Sequence, residues 1–253
     1  MSLSGQVAVI SGATSEIGRA TALRLSAEGA SIAVTGNTGA KLDLLVEELH
    51  RAGAKFHASA ADLSQPVHVD RFFAELKQVL GPARILVNTA AWRKPQATLE
   101  TTYSDWKRTF EVCVDSYFLC SVAAAHQMIP QKQGRIIFFG SVAGSVMMAP
   151  FAAYTAAKGA VHAMAKAMAV DLAPFGITVN VVAPGPVETK YFRTNVTAEG
   201  IHRRLERMPI GRFATPEDCA SAVAHLVAED MGYVTGQIVY VDGGFLSTGS
   251  LAR

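Results

Sequence analysis

Val7-Ala8-Val9-Ile10-Ser11-Gly12-Ala13-Thr14-Ser15-Glu16-Ile17-Gly18 is the stretch that decides the fold. Four apolar, mostly β-branched residues read as a strand buried on both sides. A glycine turn follows, and a helical pattern starts near residue 16. Glycines there permit a tight turn and close backbone approach, and a helix N-terminus offers unpaired N–H groups to a pyrophosphate. The stretch lacks the GxGxxG form, so a plain strand-to-helix turn accounts for it equally well.

Working outward, the same alternation repeats. Short apolar runs at 31–35, 56–59, 85–88, 135–139, 178–183 and 237–241 alternate with helical patterns at 39–52, 66–80, 102–130, 153–173 and 216–229. Such alternation predicts right-handed βαβ units, hence an α/β doubly wound parallel sheet covered on both faces. Punctuation supports the edges: Pro66 opens one helix, and Thr215-Pro216-Glu217-Asp218 supplies an N-cap, a first-turn proline and acids. The weakly periodic, charged stretch 186–211 reads as a functional loop or lid. No repeat or linker marks a boundary, so residues 1–253 are expected to form a single domain. Ligands of such sheets bind beyond the carboxyl ends of the strands, at the switch point.

Composition excludes several classes. The chain has 253 residues, half of them hydrophobic, and a net charge of +2. Such a charge provides no basic field for nucleic acid or a membrane surface. The early apolar run is broken by Gln6 and Gly12, so it reads as a strand rather than a signal peptide. The apolar stretch 136–157 is too interrupted by glycine, proline and serine to span a membrane. Cys113, Cys120 and Cys219 show no paired spacing, which fits a reducing cytoplasm. The seven histidines lack metal-ligand spacing, and no metal site is expected; His162 reads as structural.

Tyr154-Thr155-Ala156-Ala157-Lys158 places a phenol and an ammonium one helical turn apart. An adjacent ammonium favours the phenolate, which suits a tyrosine to proton transfer near neutrality. Alone, the pair reads as a surface tyrosine beside a solvated lysine. Ser141 alters that balance: it follows the fifth strand, where a hydroxyl points into the crevice, between Gly140 and Gly144, which keep the backbone open. Its hydroxyl would hold a substrate oxygen that Tyr154 protonates.

Together these pieces resemble the short-chain dehydrogenase/reductase family, in its form of about 250 residues. The resemblance covers nearly the whole chain. It rests on the glycine turn, Asp62-Leu63 after the third strand, Asn88-Thr89-Ala90-Ala91 after the fourth, and Ser141. It rests too on Tyr154/Lys158, Pro184-Gly185-Pro186-Val187-Glu188-Thr189 after the sixth strand, and Asp242-Gly243-Gly244 near the end. It implies a single-domain Rossmann fold with a seven-stranded parallel sheet flanked by helices. It implies hydride transfer between NAD(P)(H) and a small-molecule carbonyl or alcohol, as in 3-oxoacyl-carrier-protein reductases. By the resemblance, Tyr154 is the general acid/base, Lys158 supports it and holds the nicotinamide ribose, and Ser141 orients the substrate. Gly12, Thr14, Ser15, Ile17 and Gly18 would cradle the pyrophosphate, and Asp62 and Leu63 would border the adenine. Asn88 and Ala90 would line the cofactor path, with Pro184, Gly185, Val187 and Thr189 near the carboxamide. The YxxxK spacing argues against the family's enoyl-reductase branch. Relatives pair the helices at 102–130 and 153–173, so a homodimer or homotetramer is expected.

Three departures stand out. Glu16 replaces the family's middle glycine. Its side chain is expected to point to solvent, and its charge to lower cofactor affinity relative to glycine. Cys113 replaces an asparagine of the proton relay, which reroutes or slows the relay unless the cysteine merely packs. Asparagine at this position would then raise turnover. Gly36 occupies the acid position after the second strand, so nothing repels a 2′-phosphate. Thr35, Asn37 and Thr38 would bind it as neutral donors, with Arg19 and Lys41 as charge partners. NADP(H) is therefore expected over NAD(H). Of Trp92, Met147, Met148, Phe151, Tyr191 and Phe192, the reading selects Trp92, Phe151 and Tyr191 for the substrate wall. Lys190, Arg193, Arg203, Arg204 and Arg207 read as a solvated face, or as an attractor for an acidic substrate. A second function remains open from Glu16 and Cys113: a cofactor-sensing or assembly subunit with little turnover.

Overall fold

A computed structural model describes residues 2–36, 39–146 and 149–248. The expected strands form one sheet: β1 (Val7–Ser11), β2 (Ser31–Gly36), β3 (Phe56–Ala60), β4 (Ile85–Asn88), β5 (Gly134–Phe139), β6 (Ile177–Pro184) and β7 (Ile238–Val241). Their order is β3-β2-β1-β4-β5-β6-β7, with every pairing parallel. The chain winds outward from β1 to β3, then crosses back to start β4 on the other side of β1. That reversal leaves a crevice beyond the paired ends Ser11 and Asn88.

Alternation within each strand builds two cores. Val7 and Val9 of β1 face one layer with Phe138 of β5 and Val181 of β6. Ala8 and Ile10 face the other, with Ile32 and Val34 of β2. The first layer is closed by α3 (Pro66–Leu80), α5 (Ser116–Met128) and α6 (Ala152–Leu172). The second is closed by α1 (Glu16–Ala27), α2 (Gly39–Arg51) and α9 (Pro216–Val227). Fully buried leucines such as Leu25, Leu45 and Leu49 each stabilise by about 1.5–3 kcal/mol. Thr215 caps α9 as expected, its hydroxyl accepting from Asp218 N while Asp218 accepts from Thr215 N.

The single helix expected at 102–130 is interrupted. α4 (Tyr103–Phe110) passes into a π-helical turn, Glu111–Asp115, before α5. Cys113 sits in that turn; its sulfur accepts from Trp92 N at 3.4 Å and donates to Trp92 O at 3.5 Å. Periodicity does not reveal one inserted residue, and such turns concentrate at functional sites. By length and composition the run Tyr103–Gln131 could cross a bilayer. Here Tyr117, Cys120, Ala124 and Met128 bury one face of it in the core.

The stretch expected as a loop at 186–211 carries two short helices, α7 (Lys190–Asn195) and α8 (Ala198–Leu205). Phe192, Met208 and Phe213 give it a small core of its own. Its basic residues are largely engaged: Arg193 with Glu16 and Glu188, Arg203 with Glu199, and Arg204 and Arg207 over the rings of Phe192 and Phe245. They do not form a free cationic patch.

Candidate active site

β1 delivers the glycine turn to the crevice. Gly12 has φ +65°, and a Cβ there would lie 2.6 Å from Ala90 N and Cα. Only glycine lets the turn press against the strand-four segment. Ser15 then caps α1, accepting from Gly18 N at 3.0 Å. The amides of Glu16 and Ile17, exposed at the helix start, have no acceptor among the described residues.

A cleft follows, lined by Gly12, Thr14, Ser15, Thr35, Gly36, Lys41, Asp62, Leu63 and Ala90. Eight of these, all but Gly36, are expected cofactor positions. Arg108 and Ser116 line it as well, and sequence reasoning missed both. No local pattern separates Arg108 from any other charge on α4. It is brought to the crevice by packing, 3.5 Å from the Asp62 carboxylate. Hydrogen bonds from Ser64 and the nearby Arg108 outweigh partial burial and hold the Asp62 carboxyl below its usual range.

Other expected residues stand behind this wall. Asn88 is fully buried, accepting from Ser11 Oγ at 3.1 Å and donating to Ser121 Oγ at 3.4 Å. It ties β1, β4 and α5 together. A Cβ at Gly18 would meet Gly12 O and Thr89 Oγ1, both at 2.7 Å, so this glycine serves close packing. Ile17 packs on the second core. Pro184 ends β6, Gly185 passes Asp242, Val187 bridges to Ala214, and Thr189 caps α7. Asn37 and Thr38 lie outside the described residues, as do Met147 and Met148.

Two charge expectations need correction. Arg19 is paired within the chain: it donates from Nε and Nη2 to the Glu48 carboxylate at 2.5 and 2.7 Å. Glu16 does not point to free solvent. Its carboxylate accepts from Lys190 N at 2.5 Å and lies 3.6 Å from the Arg193 guanidinium. At Gly36 any Cβ would run into the Thr14 side chain, so that space holds a threonine rather than an acid.

The first turns of α6 carry the proton-transfer pair. Lys158 is almost wholly buried, and its Nζ donates to Phe139 O at 2.6 Å. The same ammonium lies 5.7 Å from the Tyr154 ring centre and 5.1 Å from that of Tyr117. Burial disfavours its charge, but Tyr117, Tyr154 and Cys113 act the other way and leave its pKa raised. Burial pushes the Tyr117 phenol up, so it stays neutral; it donates to Ala90 O at 3.0 Å. Ser141 accepts from Ala143 N at 3.1 Å and thereby caps the turn after β5. That bond uses a lone pair and leaves its O–H to donate.

Gly140 and Gly144 have a different role from the one expected. Cβ atoms at either position would collide with the His162 ring. They make room for a buried imidazole beneath the serine turn. His162 Nδ1 lies 3.4 Å from Ser145 Oγ, and Nε2 is buried without a partner among the described residues. Burial, with Lys158 and Lys166 nearby, lowers its pKa from 6.5 to about 4. The unfolded chain thus takes up a proton near pH 6.5 that the folded chain refuses until about pH 4. Stability falls as pH drops through that window, by up to about 1.4 kcal/mol per pH unit. His162→Leu is expected to flatten the profile there, read by thermal denaturation across the window. An unchanged slope removes His162 as its cause.

The substrate side is only partly assembled. Phe151 meets Tyr154 edge-on, with ring centres 6.4 Å apart. Tyr191 lies under the Arg93 guanidinium at 4.6 Å. Trp92 lines a separate hollow beside α4, with Tyr103, Lys107 and Arg108.

Comparison with known proteins agrees with this arrangement. A family model described as enoyl-(acyl carrier protein) reductase matches residues 12–246. The 3-oxoacyl-[acyl-carrier-protein] reductase of Aquifex aeolicus is 32% identical, covering 96% of this chain and 98% of its own. The (2S)-[(R)-hydroxy(phenyl)methyl]succinyl-CoA dehydrogenase subunit BbsD of Thauera aromatica is 33% identical, with the same coverage. A crystal structure of a candidate gluconate dehydrogenase from Agrobacterium tumefaciens superposes with a TM-score of 0.94 at 32% identity, over 97% of this chain and 98% of that one. With the seven-stranded parallel sheet and near-complete coverage, these matches show that the chain belongs to the short-chain dehydrogenase/reductase family of NAD(P)(H)-dependent oxidoreductases.

Proposed function

We propose that the crevice binds NADP(H) in preference to NAD(H), and that Ser141, Tyr154 and Lys158 carry the reduction of a carbonyl or the oxidation of a secondary alcohol. The buried Lys158 ammonium, fixed on the Phe139 carbonyl one turn from Tyr154, carries this reading. The residues fit a dinucleotide. The unaccepted amides at the start of α1 suit a pyrophosphate, and Gly12 opens the floor beneath it. Thr35 Oγ1 is buried without a partner among the described residues, near the end of β2.

A bound nicotinamide supplies or accepts the hydride. In reduction, Tyr154 donates its phenolic proton to the substrate oxygen as negative charge develops there. The Lys158 ammonium stabilises the phenolate left behind. Ser141 donates to the same oxygen and holds it in line. In oxidation the Tyr154 phenolate takes the hydroxyl proton instead. Phe151 and Tyr191 would border the reacting group, with Trp92 further out. Val187 and Thr189 would face the carboxamide, while Asp62 and Leu63 would border the adenine.

The NADP(H) preference rests on the end of β2, where Thr14 fills the space an acid would need and Lys41 lines the cleft beside Gly36. Titration of the purified protein with NADPH and NADH, followed by nicotinamide fluorescence, is expected to give the tighter binding for NADPH. Tighter binding of NADH overturns the preference. Relatives named for acyl-carrier-protein and CoA substrates favour a 3-oxoacyl thioester as the first substrate to assay. Exposed Phe118, Val122 and Val170 on α5 and α6 support assembly into a homodimer or homotetramer. Three buried free cysteines suit a reducing cytoplasm.

A further inference from the structure

The contact of Glu16 spans 174 positions of sequence and joins the start of α1 to the segment after β6. Glu16 is the first residue of α1 and follows directly on Ser15 of the cleft wall. Its partner, Lys190 N, is the first amide of α7, in the segment that follows β6. An amide at that position has no acceptor within its own helix. Thr189 satisfies Phe192 N from within the segment, whereas Lys190 N is satisfied by Glu16, at the start of α1. The carboxylate thus stands at the positive ends of two helices at once, a favourable place for negative charge. Arg193 completes the junction, 3.6 Å from Glu16 and 3.7 Å from Glu188. At the far wall, Arg93 over the Tyr191 ring gives the same segment a second tether.

We infer that Glu16 is a latch: it holds the segment from Val187 to Arg193 across the mouth of the crevice, positions it there, and slows exchange of the dinucleotide. The inference rests on the reading that the crevice binds a dinucleotide, and it reverses the sign expected from sequence. A carboxylate engaged by Lys190 N and Arg193 has its charge already matched, so replacing it with glycine frees the lid more than it relieves repulsion. Glutamine keeps an oxygen for Lys190 N but loses the ion pair with Arg193, so it should fall between.

The test uses full-length wild type, Glu16→Gly and Glu16→Gln. Without cofactor, limited tryptic cleavage after Lys190 and Arg193 is followed by mass spectrometry. Cleavage is expected to be about tenfold faster in Glu16→Gly, as for loss of one charge-assisted hydrogen bond, and intermediate in Glu16→Gln. With cofactor, NADPH dissociation is followed by stopped-flow fluorescence and is expected to accelerate in the same order. Unchanged cleavage, together with tighter NADPH binding in Glu16→Gly, overturns the latch in favour of simple repulsion. Faster cleavage in a protein whose wild type binds neither nucleotide supports the latch and instead removes the dinucleotide reading.

Discussion

Replacing Tyr154 by phenylalanine is expected to lower kcat about a thousandfold and to leave NADPH binding nearly unchanged. The effect is large because neither neighbouring hydroxyl, Ser141 or Tyr117, can take over the proton transfer. The Ser141 hydroxyl can orient that oxygen but is far too weak an acid to protonate it. Tyr117 is neutral and already donates to the Ala90 carbonyl. The effect on structure is small because phenylalanine keeps the ring that packs on Phe151. Lys158 also keeps its anchor on Phe139 O. Steady-state kinetics with a carbonyl substrate, alongside fluorescence titration of NADPH, separate the two quantities. A variant within about tenfold of wild type would remove Tyr154 from proton transfer. A wild type that binds NADPH tightly yet turns nothing over would support the sensing or assembly role left open by Glu16 and Cys113.

Gly12→Ala is expected to cost both stability and cofactor binding. Alanine at φ +65° is strained, and its methyl would stand 2.6 Å from the Ala90 backbone. Backbone strain and overpacking each cost on the order of 1–3 kcal/mol. Their sum, on the order of 3 kcal/mol or more, lowers Tm by on the order of 10 °C in a domain of this size. NADPH binding should fail as well, because relief requires the turn to lift away from β4. Gly53→Ala is the control: φ there is +66°, but nothing lies within 4 Å of the added carbon. It carries the strain without the crowding. Equal losses of Tm in the two variants would show that contact with Ala90 is not what requires glycine at position 12.

Much of the fold was legible because it rests on short-range patterns. The strands were placed by apolar runs, and the observed β2, β4 and β5 differ from the expected spans by one residue at most. The cap of α9 was legible because Thr215, Pro216 and Asp218 act within one turn. Tyr154 and Lys158 could be paired in advance for the same reason. The π-helical turn at Glu111–Asp115 was not legible. It brings Cys113 to the backbone of Trp92, 21 positions away, a contact that no local pattern encodes.

By itself, the sequence determined the α/β alternation, the parallel sheet, and which residues line up at the strand ends. Helical and strand periods alone dictate those features, and each is read within about a dozen residues. Tertiary structure decided how the charged and buried polar side chains are used. Arg19 pairs with Glu48, Glu16 with the Lys190 amide, and Arg108 with Asp62 at the crevice. His162 went beneath two glycines whose small size otherwise suggested an open loop. A long polar side chain can reach many partners at nearly equal cost. Strand order and helix packing set which partner is near, and no local pattern encodes them.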